Sequence, residues 1–324
     1  MLIFHTPDLD GELIPYSYRA RAVIPSEGIE DSKVTNDLTK VKKDDIVVLG
    51  KKHSLEDAEY LKEKNIKFII DVADNKFRAP NFQHWYETIP MASHVTTTCE
   101  VLSNVVKHET GTGLDHVTVI PDPTERKRKK PNFKVKPEMT MCWYGAEKNF
   151  EKIDWGIVQS EMNKVHPTKF VFMTNISGPK TNKPWKRIKS HHYWMKDTNI
   201  SDLHCSAFDE LVPWSFEGQE KMVDQADIVV IPCTNDNEAR SKGNNRPIDA
   251  LQRGKFVLSN PGIPSYHKLD KFISVGNLCT GYKKALRNPE KVLAMIKEGQ
   301  AEIDKRYTPK AISEKWQNVY GLLL

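Results

Sequence analysis

The chain has 324 residues, 39% of them hydrophobic and 28% charged, with a formal net charge of +5. That length suits two domains of roughly 100–200 residues each, and the composition excludes a disordered chain. No apolar run approaches the roughly 18–20 residues of a membrane helix, so no membrane span is expected. The start, Met1-Leu2-Ile3-Phe4-His5-Thr6, reads as a short strand and has neither the basic nor the long apolar region of a secretory signal. Cys99, Cys142, Cys205, Cys233 and Cys279 are odd in number, widely spaced and without a C-x-x-C pair. This argues against a disulfide framework or a structural zinc site and fits a reducing compartment. A cytoplasmic location is therefore expected, the host cytoplasm for a protein of viral origin.

Short β-branched runs alternate with helical patterns, which predicts α/β layering with parallel strands. In the first half the strands are Leu2–Phe4, Ile46–Leu49, Phe68–Ile70, Val95–Thr97 and Val117–Ile120. Helices are predicted over Ser54–Lys64, with Ser54 as cap and two acids in the first turn, and over Cys99–His108. Residues 121–138 break the pattern with four prolines and the block Glu125-Arg126-Lys127-Arg128-Lys129-Lys130. Proline and dense charge resist both helix interior and central strand, so this segment reads as a linker. Strands resume at Met139–Tyr144, Phe170–Met173, Glu210–Pro213, Asp227–Ile231 and Phe256–Ser259. Helices are expected over 150–165, 217–225, 246–253, 291–305 and 310–323. The implied organisation is an N-terminal domain over 1–123, a basic proline-rich linker over 124–138, a C-terminal domain over 139–305, and a last helix over 306–324 that packs back toward the first domain. Two Rossmann-like α/β domains facing a cleft are expected, with ligands beyond the carboxyl ends of the strands.

The chemistry concentrates between Asp227 and Leu258. A buried strand ends at Pro232, a long polar loop follows, and Gly243-Asn244-Asn245 leads onto a helix with Pro247 near its start. Backbone N–H groups there, with Lys242 and Arg246 beside them, form an anion site. Asp249 lies in the first turn, where a carboxylate can accept hydrogen bonds from two vicinal ribose hydroxyls. Gly254 then ends the helix.

This stretch resembles the donor segment of the GT-B glycosyltransferases grouped in family 4. Asp249-Ala250-Leu251-Gln252-Arg253-Gly254-Lys255-Phe256-Val257 is similar to the family's Glu-Ala-Met-Ala-x-Gly-x-Pro-Val, with Asp for Glu and Phe for Pro. The resemblance implies that Asp249 holds the ribose of a nucleotide, and Lys242 is similar to the phosphate lysine of some members; Gly243, Asn245 and Arg246 join it as diphosphate candidates through the anion site described above. The family's upstream glutamate falls at Ser241, a departure that touches the sugar contact; Glu238 is out of register. Trp143-Tyr144-Gly145-Ala146-Glu147-Lys148-Asn149 resembles the family's first C-domain strand and glycine loop, which adds Gly145 and Lys148 as diphosphate candidates. Val117–Pro121 with Asp122-Pro123 is similar to its Val-Ile-Pro-Asn-Gly strand, and Val95–Glu100 to an N-domain strand leading into a helix. What the resemblance implies is sugar transfer from a nucleoside diphosphate sugar, UDP-linked, to an acceptor hydroxyl, with no further cofactor. The only Asp-x-Asp, Asp8-Leu9-Asp10, lies near the start and far in sequence from the donor segment, so metal-independent chemistry and no metal site are expected.

In the first half, Asp71 and Asp74 follow a strand at its carboxyl end and His53 follows another, so all three are candidates for the catalytic base or acceptor orientation. Arg19 and Arg21 could reach an anionic acceptor. Residues 126–136 hold seven Lys/Arg and no acid; residues 180–196 hold six, with Trp185, Tyr193 and Trp194. Basic charge interleaved with aromatics suits phosphate neutralisation and base stacking. Arg126, Lys127, Arg128, Trp185, Lys186 and Arg187 are thus candidates for contact with double-stranded DNA carrying hydroxymethylated bases. The competing readings are an enzyme acting on surface or lipid-linked saccharide and a non-catalytic nucleic-acid-binding protein on a relic transferase fold. A dehydrogenase is poorly supported: Gly111-Thr112-Gly113 lacks the third glycine and precedes a strand.

Overall fold

The computed structural model describes residues 1–7, 18–111, 116–150, 152–175, 186–188, 193–195, 210–234 and 236–324. Two six-stranded parallel sheets form two lobes. The first contains β1 (Leu2–His5), β2 (Ser32–Thr35), β3 (Ile46–Leu49), β4 (Lys67–Val72), β5 (His94–Thr97) and β6 (Val117–Val119), in the order β2-β1-β3-β4-β5-β6. The second contains β7 (Met139–Ala146), β8 (Thr168–Asn175), β11 (Glu210–Pro213), β12 (Ile228–Ile231), β13 (Phe256–Ser259) and β14 (Ser274–Val275), in the order β11-β8-β7-β12-β13-β14. A short antiparallel hairpin joins β9 (Lys186–Ile188) to β10 (Tyr193–Met195).

Uninterrupted apolar runs such as Ile46-Val47-Val48-Leu49 and Ile228-Val229-Val230-Ile231 are buried along their whole length, as parallel strands covered on both faces require. Helices supply that cover. In the first lobe they are α1 (Ile24–Glu27), entered through a π-helical turn at Arg19–Val23, α2 (Leu55–Glu63), α3 (Trp85–Met91) and α4 (Glu100–Glu109). In the second they are α5 (Glu147–Phe150), α6 (Trp155–Asn163), α7 (Phe216–Gln225), α8 (Asn237–Arg240), α9 (Asn245–Gln252), α10 (Leu278–Arg287) and α11 (Pro289–Arg306). The last helix, α12 (Pro309–Leu323), returns to the first lobe: Trp316 meets Phe4 edge-on at 5.3 Å, and Ser313 Oγ donates to the Pro25 carbonyl at 3.1 Å.

Local signals explain most boundaries. Ser54 Oγ accepts from the Asp57 N–H at 3.1 Å while the Asp57 carboxylate accepts from the Ser54 N–H at 2.8 Å, a reciprocal capping box. The helix expected over 150–165 begins instead at Trp155, where Asp154 caps it by accepting from the Ile157 N–H at 3.0 Å. The half-buried edge strand β2, Ser-Lys-Val-Thr, has no apolar run to announce it. Helices α3 and α10 were likewise not marked by the sequence.

The chain crosses between lobes twice, in the 121–138 segment and near Tyr307, and the Thr124 N–H donates to the Tyr307 carbonyl at 2.7 Å. The 121–138 segment has no helix or strand but is strapped to the second lobe. The Lys129 N–H donates to Gln252 and the Asn132 N–H to Gly254, and Phe133 packs against Phe256 at 6.1 Å. Among the described residues no helix is long and apolar enough to cross a membrane.

Candidate functional site

A parallel sheet of this kind opens a crevice where neighbouring strands send their connections to opposite faces. In the second lobe that point lies between β7 and β12. A pocket of about 460 Å³, solvent mouth included, opens there, and its lining includes Trp143, Pro232, Lys242, Gly243, Asn245 and Arg246. The Arg246 guanidinium lies over the Trp143 ring at 5.7 Å. Gly145 is what permits this: a Cβ there would stand 2.6 Å from Arg246 Nη2 and 2.9 Å from the Trp143 ring. The Arg246 guanidinium thus lies at the pocket with the Trp143 face as its neighbour.

The turn that carries Lys242 is pinned from both sides. Ser265 Oγ donates to the Lys242 carbonyl at 2.8 Å, and Cys99 Sγ of the first lobe donates to the Ser241 carbonyl at 3.3 Å. Lys242 Nζ reaches Asn149 Oδ1 at 3.4 Å. Helix α9 starts without a side-chain cap, since Asn244 turns its amide to the Tyr307 hydroxyl at 3.0 Å. The Arg246 N–H is taken by Asn245 Oδ1 at 2.9 Å and the first intrahelical bond found runs from Ile248 to Asn244. The turn ahead of it therefore presents amides with no intrahelical acceptor, beside two cations. Ser241, where the family pattern places a glutamate, bonds back into α8 through the Asn237 carbonyl at 2.6 Å. Glu238 forms an ion pair with Lys76 of the first lobe at 2.6 Å.

Asp249 lies on α9 one turn beyond Arg246, 5% exposed, but it faces the interlobe crossing. Thr124 Oγ1 donates to Asp249 Oδ1 at 3.1 Å, and Arg126 Nε lies 3.8 Å from Oδ2. Burial pushes the Asp249 carboxyl up to about 7; Arg126 and the Thr124 hydrogen bond oppose the shift and Glu125 adds to it. Arg126, expected as a nucleic-acid contact, is instead buried at 5% and reaches Glu220 at 3.2 Å. Arg128 pairs with Asp304, and Lys129 with Asp224 at 2.5 Å. Lys127 is exposed. The basic linker thus spends much of its charge on the second lobe.

In the first lobe the switch point lies between β1 and β3, and a smaller pocket there is lined by His5, Thr6, Tyr18, Arg21, Gly50, Lys51 and Asp71, among others. Arg21, expected to meet an acceptor, is instead 5% exposed and forks onto both Asp71 oxygens while donating to the Ile120 carbonyl at 2.5 Å. Asp71 also accepts from Thr96 Oγ1 at 2.6 Å, so its lone pairs are committed. Asp74 pairs with Lys51; burial works against its charge, but Lys51, Lys76 and Lys242 prevail and hold its carboxyl below the usual range. His53 is 2% exposed with both ring nitrogens occupied, by the Gly50 carbonyl at 2.9 Å and Thr88 Oγ1 at 3.0 Å, and burial lowers its pKa to about 4. Its place is between β3 and α3. Arg19 pairs with Glu125 at 2.5 Å.

Of the remaining candidates, Lys148 lies on α5, and Lys186 and Arg187 lie on β9, with only their backbones described; Trp185 lies outside the described residues. One residue that sequence reasoning had placed only in the hinge motif stands out. Asp122 follows β6 and projects between the lobes, with Oδ1 3.5 Å from Arg21 Nη1 and Oδ2 3.9 Å from where a Cβ on Gly243 would lie. Nothing in its local spacing announces that approach.

Two parallel six-stranded Rossmann-like lobes facing a cleft define the GT-B fold. No family model matches the sequence, and no curated protein matches it. Solved structures share the fold. TarM superposes with a TM-score of 0.62 at 14% identity over 86% of this chain and 55% of its own. The pneumococcal O-GlcNAc transferase GtfA, solved in complex with UDP and GlcNAc, gives 0.57 at 11% identity over 88% and 58%. An E. coli trehalose-6-phosphate structure bound with UDP-2-fluoro glucose gives 0.61 at 10% over 87% and 74%. The chain thus spans little more than half the length of TarM and GtfA, and at these identities the likeness is one of fold.

Proposed function

We propose that this chain is a glycosyltransferase that moves a sugar from UDP to an acceptor hydroxyl. The observation that carries the reading is the convergence of Lys242, Gly243, Asn245 and Arg246 on one pocket at the β7/β12 switch point, with Gly145 leaving room for the Arg246 guanidinium. A leaving diphosphate needs positive charge positioned before the bond breaks. Lys242, Arg246 and the amides of the 243–245 turn supply it without a metal ion. GtfA and the E. coli structure hold UDP compounds on the same fold, which supports a uridine donor. Asp249 serves the ribose in this reading. Because hinge residue Thr124 already holds it, nucleoside binding and hinge position are coupled.

The acceptor comes from the first-lobe side, where Thr98 and Asp122 stand against Gly243 of the donor turn. With Arg126, Arg128 and Lys129 paired within the chain, a DNA acceptor rests on the second basic segment, which includes Lys186 and Arg187. Digestion and mass spectrometry of hydroxymethylated and plain DNA, incubated with a panel of UDP-sugars, tests it. The absence of any hexose or pentose adduct removes DNA and leaves a saccharide acceptor. For the donor site, titration calorimetry is expected to show UDP binding that Lys242→Ala and Arg246→Ala each weaken by about tenfold or more, since hydrogen bonds to charged groups contribute about 1.5–3 kcal/mol. Unaltered affinity in both variants would sink the assignment.

A further inference from the structure

We propose that Asp122 is the catalytic group that takes the proton from the acceptor hydroxyl, an inference that rests on the transferase reading above. Its position is the first argument. It sits where the chain leaves β6, and its Oδ2 lies 3.9 Å from the position that a Cβ on Gly243, the glycine of the cationic turn, would take. Thr98 Cβ stands 3.4 Å from the same position, so the first lobe meets that turn in ordinary van der Waals contact.

Availability is the second argument. The other first-lobe carboxylates on this side are committed, Asp71 to Arg21 and Thr96, and Asp74 to Lys51. Asp122, 13% exposed, makes among the described residues only the long 3.5 Å contact to Arg21, through Oδ1. Oδ2 is left facing the other lobe.

Electrostatics is the third. The charged groups acting on Asp122 are Arg21 from the π-helical turn, Asp71 and Asp74 from the end of β4, and Glu125 from the hinge. Burial pushes the carboxyl up, Arg21 opposes this, and Asp71 and Asp74 reinforce it, to about 6. Lys51, Lys76 and Lys242 act on Asp74. A carboxylate near 6 is ionised at neutral pH yet more basic than an ordinary aspartate, as a general base requires.

The acceptor oxygen forms a bond to the anomeric carbon as the bond from that carbon to the β-phosphate oxygen breaks. The electron pair leaves with UDP, whose charge Lys242 and Arg246 meet, and the acceptor proton passes to Asp122 Oδ2.

The test uses the full chain, UDP-glucose and UDP-N-acetylglucosamine, with water as the acceptor. UDP release is followed from pH 5 to 8, and UDP affinity is measured by calorimetry in parallel. For the wild type, release is expected to rise about tenfold per pH unit below 6 and to level off above it. Asp122→Asn is expected to lose about 100-fold or more, to lose that acidic limb, and to bind UDP within about twofold of wild type. A variant as fast as wild type, or one that keeps the acidic limb, overturns the role of Asp122 and leaves the transferase reading standing. A wild type that binds UDP but releases none from either sugar nucleotide also overturns it. A wild type that does not bind UDP overturns the transferase reading and this inference together. Should Asp122→Asn fail to fold, carbon-13 titration of the wild-type carboxyl decides: titration near 6 supports the role, and titration near 4 overturns it.

Discussion

The Gly145–Arg246–Trp143 contact shows how one missing Cβ positions a charge. The indole face holds the guanidinium, and the absent side chain lets it cross the end of β7. Asp249 is the second residue whose surroundings set its chemistry. Burial raises its carboxyl from 3.8 to about 7, against Arg126 and Thr124. A raised acid binds its proton more tightly folded than unfolded, so its contribution to stability is complete at low pH and declines as pH rises from about 4 to 7. Asp249→Asn removes that group, so its melting temperature is expected to fall less than that of wild type across the window. Parallel scanning calorimetry at pH 4.5 and 7.5 reads this directly, and identical pH slopes would contradict a carboxyl that titrates near 7.

At the scale of elements, α9 and the strap beside it form one unit. Gly254 ends α9 with φ of +74°, a conformation that costs an L side chain about 1–2 kcal/mol. A Cβ there would also meet the Lys130 carbonyl oxygen at 2.5 Å. Gly254→Ala is therefore expected to destabilise by about 2–4 kcal/mol, strain and clash together, and to loosen the strap. Urea titration measures the first, and faster amide exchange at Lys129 and Asn132, which bond to Gln252 and Gly254, reports the second. A loss under about 0.5 kcal/mol would mean that the strap is not seated against the glycine.

For the whole molecule, the question is what holds the two sheets face to face. The crossings at 121–138 and Tyr307 are tied by the Thr124 hydrogen bond. On the far side, Lys76–Glu238, Lys268–Glu100 and Cys99–Ser241 bridge the lobes. Both members of Lys268–Glu100 are more than half exposed, a setting in which ion pairs contribute about 0–1 kcal/mol. Lys76–Glu238 is better shielded, at 15% and 28% exposure, and lies beside the 241–245 turn. Glu238→Gln is expected to speed amide exchange in that turn and enlarge the radius of gyration in solution scattering, whereas Lys268→Ala leaves both near wild type. Equal behaviour of the two variants would show that neither pair sets lobe separation.

The α/β class, the two-sheet organisation and the strands flanking the pocket were legible because buried parallel strands must be continuous apolar runs, as Ile46–Leu49 and Phe256–Ser259 are. The junction of a Gly-Asn-Asn loop with a helix, flanked by Lys242 and Arg246, was legible because glycine, asparagine and a proline near the helix start mark such a turn. What sequence could not supply is pairing at a distance. Arg21 and Asp71, Arg126 and Glu220, and Arg128 and Asp304 are 50, 94 and 176 residues apart, and only the packed lobes turned candidate ligand contacts into internal ion pairs. Asp122 is the converse case. Its local sequence is an ordinary strand end before proline, and tertiary structure alone gives it a glycine of the opposite lobe as neighbour. Periodicity and propensity act over one or two turns of chain and are written in it, whereas desolvation and charge pairing depend on which distant segments meet, and folding decides that.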